Sequence, residues 1–78
     1  MREYRTDTIA LRKLMIDRGI TTVIQLSNET GINRNTLSGV LNGSIQPSAL
    51  VMDRLVKVLA IQPEQAGLIF FNPSLRTA

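Results

Sequence analysis

Residues 22 to 43 are punctuated so closely that only two short helices joined by a tight turn suit them. Thr22 and Gln25 have the S/T-x-x-E/Q spacing of a capping box, in which each closes on the other's backbone. After the eight residues Val23–Thr30, Gly31 ends the run where the chain needs a left-handed backbone. Ile32 is apolar and suits a place in the core between the two helices. Asn33 is a preferred N-cap and starts the next run at Arg34, which ends at Leu41 before Asn42-Gly43. Eight residues, a three-residue turn and eight more residues form a helix-turn-helix layout.

The two faces of the second of these helices differ in kind. Leu37, Val40 and Leu41 follow i, i+3, i+4 spacing and make a buried stripe. Arg34, Asn35, Ser38 and Gly39 fall opposite them, a polar face of short side chains. Such a face suits the major groove of DNA. Arginine pairs bidentately with guanine and asparagine with adenine, while serine meets either. The N-terminal turn of a reading helix is the part that approaches base edges. Small polar residues and helix-end amides around it take phosphate. Here these are Thr21 and Thr22 at the start of the preceding helix, Asn33, and Asn42, Ser44 and Gln46 in the following loop.

Three further helices are marked the same way. The first spans about Thr6 to Arg18, capped by Thr6 or Asp7 and ended by Gly19, with Leu11, Leu14, Met15 and the stem of Arg18 on one stripe. After the polar loop Asn42–Pro47, Ser48 caps a fourth helix, Ala49 to Leu59. Its stripe is Leu50, Val51, Leu55, Val58 and Leu59, while Asp53, Arg54 and Lys57 face water. The fifth begins at Pro63, favoured at the first helical position, and ends near Phe71, before Asn72-Pro73. Strand signals are poor, since no apolar–polar alternation is sustained. The expected fold is all-α: five helices in a single domain over residues 1–78, core 6–71, with a short C-terminal tail 72–78.

Composition narrows the function. No cysteine and no histidine occur in the 78 residues, which removes disulfides, thiolate metal sites and the commonest general base. The carboxylates Glu3, Asp7, Asp17, Glu29, Asp53 and Glu64 are spread over caps and outer faces, and no P-loop or zinc-protease motif is present. The expectation is a non-enzyme with no metal and no cofactor. Nine Lys+Arg against six Asp+Glu give +3, a mild preference for polyanions. No apolar run is longer than four residues, Leu68–Phe71 being one such run, so no membrane span is expected. The opening residues Met1 to Arg5 are followed by no apolar signal region, which points to the cytoplasm.

The run Thr22-Val23-Ile24-Gln25-Leu26-Ser27-Asn28-Glu29-Thr30-Gly31-Ile32-Asn33-Arg34-Asn35-Thr36-Leu37-Ser38 resembles the signature of the Cro and lambda-repressor-like helix-turn-helix domains. The likeness continues through Asn42-Gly43, Pro47-Ser48 and Leu59-Ala60-Ile61, and covers roughly residues 8 to 70. It implies a five-helix lambda-repressor-like fold that binds DNA as a dimer over two half-sites. It also implies base-facing roles for Arg34, Asn35, Ser38 and Gly39, with Thr22, Asn42, Ser44 and Gln46 near phosphate. Three positions depart from the pattern. Val23 stands where members often carry a phosphate-binding glutamine. Gly39 replaces a long polar side chain and costs about 1 kcal/mol against alanine in a helix, explained by a close approach or by drift. Met15 and Leu41 stand where members often pair arginine with glutamate, a buried ion pair exchanged for an apolar contact.

The run Leu68-Ile69-Phe70-Phe71 cannot face inward entirely, since neighbours on a helix lie about 100° apart. Either a final turn folds back under Pro73, covered by Leu75, or these four residues form a dimer or partner interface. The leading reading is a sequence-specific transcriptional regulator of the Cro or phage-repressor type, a homodimer on an operator in double-stranded DNA. The alternative is a protein-binding modulator or antirepressor on the same fold, pairing with another repressor. Val23, Gly39, the apolar tail and the lone cation Arg34 within residues 30 to 52 motivate it.

Overall fold

Among the described residues, five helices form where the caps and stops lie: α1 (Thr8–Asp17), α2 (Val23–Thr30), α3 (Arg34–Leu41), α4 (Ala49–Leu59) and α5 (Pro63–Phe70). The structure, a computed structural model, describes residues 3–77, and side chains over residues 5–71. Each N-terminus is closed locally. Asp7, rather than Thr6, caps α1 by accepting from the Ala10 amide at 3.1 Å. Thr22 and Gln25 form the full capping box of α2. Asn33 accepts from the Asn35 amide at 2.7 Å, and Ser48 from the Val51 amide at 3.3 Å. Gln62 precedes Pro63 at the head of α5. Replacing such a cap by alanine typically costs about 1 kcal/mol.

The core draws on every helix. Leu11 and Met15 of α1 meet Leu26 of α2, Leu37, Val40 and Leu41 of α3, Val51, Leu55 and Leu59 of α4, and Ile69 and Phe70 of α5. Ile20 and Ile61 close it from the connections. Met15 and Leu41 are both buried in the core, as expected of an apolar contact in place of an ion pair. One stripe is narrower than expected: Leu50 is exposed, because Val51, Leu55 and Leu59 at i, i+4, i+8 already fill the inward face of α4. Val58 is half-buried against the same cluster.

Four of the five C-termini are closed differently, by side chains from distant parts of the chain. Arg54 of α4 donates to the Thr30 carbonyl, the last of α2, at 3.0 Å. Arg12 of α1 donates to the Leu41 carbonyl, the last of α3, at 3.1 Å. Arg18 donates to the Leu59 carbonyl, the last of α4, at 3.3 Å. Gln46 donates to the Phe70 carbonyl, the last of α5, at 2.7 Å. The last carbonyls of a helix have no intrahelical donor and carry its negative dipole end, so a cation there serves both needs. Neither α2 nor α3 has a basic residue of its own in that turn.

The tail forms strand rather than a folded-back turn. β1 (Glu3–Arg5) pairs antiparallel with β2 (Asn72–Thr77), Glu3 opposite Thr77 and Arg5 opposite Asn72, with an irregularity between. This ribbon adds to the five-helix fold and was not legible in strand patterning. Proline is admissible in β2 because both strands of a two-stranded sheet are edges. The expected cover of Pro73 by Leu75 lies outside the residues with described side chains. Next to the ribbon, the Asp7 amide donates to the Ile69 carbonyl at 2.6 Å, tying the start of α1 to α5.

Candidate nucleic-acid interface

The turn between α2 and α3 is built so that its polar groups are used up internally. Gly31 has φ +73°, and its amide donates to the Ser27 carbonyl at 2.8 Å. The buried Thr30 hydroxyl donates to the Leu26 carbonyl at 2.8 Å and accepts from the Ile32 amide at 3.2 Å. The Ser27 hydroxyl donates to the Ile32 carbonyl at 2.6 Å. Ile32 packs half-buried against the core, as its apolar character requires. With Arg54 closing α2 at Thr30, the two helices are held at one angle, and α3 presents its outer face as a rigid surface.

On that face Arg34, Asn35 and Ser38 are exposed, and Arg34 and Asn35 occupy its first turn, directly after the Asn33 cap. Thr36 is half-buried. Gly39 is not presented as expected. It is buried, because the loop after α3 folds back on it. The Gly39 carbonyl accepts from the amides of Ser44 at 2.9 Å and Ile45 at 3.1 Å, and from the Ser44 hydroxyl at 3.3 Å. The Ile45 side chain then occupies the space a Cβ at residue 39 would need, 2.7 Å from its Cγ1. A close approach therefore accounts for the glycine, and Gly39 offers no atom to a base edge.

The expected phosphate positions divide. Thr21 and Thr22 are exposed at the head of α2, held together by Gln25, whose side-chain oxygen accepts from both amides at 2.9 and 3.2 Å. Asn33 is exposed, and its side-chain oxygen serves the cap of α3. Asn42 and Ser44 are exposed in the loop, with the Ser44 amide donating to the Asn42 side chain at 2.9 Å. Gln46 is engaged elsewhere. While its nitrogen closes α5, its oxygen accepts from the buried Thr6 hydroxyl at 3.2 Å, so both ends of the amide serve the fold.

Two cations near the loop went unnoticed in the sequence. Arg5 and Lys13 line a cleft with Thr8, Asn42, Gly43 and Ser44, between the start of α1 and the loop after α3. No local signal joins residues so far apart; only the packing of α1 against α3 does. Conversely, Arg12 and Arg54 have their guanidinium groups on helix carbonyls. The apolar run also divides: Ile69 and Phe70 belong to the core and cannot form an interface, whereas Leu68 and Phe71 are exposed. Leu68 borders a groove with Ala10, Lys13, Leu14 and Gln65 between α1 and α5. Among the described residues no helix is long and apolar enough to cross a membrane.

A family model for the Cro/C1-type HTH DNA-binding domain matches residues 10–66, from α1 into α5. No curated protein and no solved structure matches the chain.

Proposed function

Because the chain belongs to the Cro/C1-type HTH DNA-binding domain family, we propose that it is a transcriptional regulator that reads a specific DNA sequence with α3, as a homodimer. The observation that carries this reading is the exposed trio Arg34, Asn35 and Ser38 on a helix whose angle the closed turn holds. Arg34 and Asn35 read base edges in the major groove, and Ser38 meets the next one. Thr21, Thr22, Asn33, Asn42 and Ser44 surround α3 and meet the phosphates that set its register. Repression follows from occupying an operator.

Leu68 and Phe71, exposed at the end of α5, support a subunit contact. The same pair favours the second reading, a modulator that pairs with another repressor. Among the described residues, Arg12 and Arg54 are engaged on carbonyls, which leaves fewer cations for phosphate. Gel shift against a random-sequence duplex library, with mass determination on the same sample, separates the two. A salt-dependent shift and an enriched sequence support the regulator. Capture of a repressor by a protein that enriches no sequence at low salt would favour the modulator.

A further inference from the structure

The geometry points to Ile45 as a sequence-reading residue of the interface, a loop side chain that selects thymine through its C5-methyl group. This rests on the reading of α3 as the groove-entering helix. Residues 35 and 39 lie one turn apart on the same face of α3. Position 39 carries no side chain of its own, and Ile45 fills its place from outside. Ile45 is nevertheless 43% exposed. It therefore stands on the outer face of the helix, about 6 Å beyond Asn35 along the axis of α3.

An all-carbon side chain in that position has one good partner. Base edges in the major groove present hydrogen-bond donors and acceptors, with a single apolar feature, the thymine methyl. Against any other edge, Ile45 would strip water from a polar group and return no hydrogen bond, which is costly. The three bonds to the Gly39 carbonyl hold the Ser44–Ile45 backbone in place, so the contact is preorganised. Gly39 thus acts as the seat that lets a loop residue take over a reading position from the helix.

The test uses the full chain and the sequence enriched from the random duplex library. Each thymine in that site is replaced singly by deoxyuridine, which removes the methyl and nothing else. The expected result is one position per half-site where wild type weakens about fourfold, the worth of one buried methyl-sized group. Ile45→Ala should bind the thymine and uracil duplexes equally at that position. Gly39→Ser, which forces the Ile45 side chain off its seat and puts a polar group there, should lose the same discrimination while Ile45 remains in the chain. An enriched site with no uracil-sensitive thymine, or sensitivity unchanged in both variants, would overturn the role of Ile45 and leave α3 reading intact. Failure to enrich any sequence would overturn both.

Discussion

Replacing Arg54 by methionine separates a helix cap from a DNA contact. Methionine keeps the aliphatic stem and comparable helix propensity and removes only the guanidinium. That group donates to the final carbonyl of α2 at 3.0 Å, beside the turn that aims α3. A net hydrogen bond contributes about 0.5–1.5 kcal/mol, and a cation at a helix C-terminus about 0.3–1 kcal/mol. Arg54 is exposed, so the lower halves apply and the sum is about 1 kcal/mol. For a chain of this length that lowers Tm by about 4–8 °C. Thermal unfolding followed by circular dichroism measures it, and binding to the enriched duplex is titrated with salt well below the transition. If Arg54 serves the fold, the slope of log K against log salt stays as in wild type. An unchanged Tm with a slope shallower by about 0.9 would refute the reasoning, because it would place the guanidinium on a phosphate.

Arg34→Ala should cost about 1–3 kcal/mol at one base position, seen as relaxed selection there; equal losses on all sequences would identify a phosphate contact instead. Gly31→Ala, at φ +73°, should destabilise by about 1 kcal/mol or more, read as a lower urea midpoint with unchanged m. Phe71→Asp should keep the helical circular dichroism spectrum and shift sedimentation toward monomer, and an unshifted mass would remove the α5 end from the dimer contact. Gln46→Ala deprives both the buried Thr6 hydroxyl and the last α5 carbonyl of their partner, so a loss of about 1–3 kcal/mol is expected with the salt slope intact.

The two helices of the turn were legible because their ends are written locally. Thr22, Gln25, Gly31 and Asn33 act within four residues of their partners, and short range leaves one geometry for each. The α3 face followed from period alone, so Arg34, Asn35 and Ser38 stand exposed as the spacing predicts. Gly39 is where that logic stops. A helical wheel assigns it to the outer face, yet it is buried, because burial there is decided by a loop returning from residues 44 and 45.

What the sequence determined by itself is therefore the five helices, the turn, the polar outer face of α3 and the family to which they belong. What only tertiary structure decided is the use made of side chains across the chain. Whether an arginine meets a phosphate or a helix carbonyl depends on partners 24 to 41 residues away. In the same way, packing against α1 sends Ile69 and Phe70 inward and leaves Leu68 and Phe71 outside. Caps are set by backbone dihedrals and near neighbours, which a sequence carries directly. The destination of a long side chain is set by which helix end lies within its reach, and only the folded packing supplies that distance.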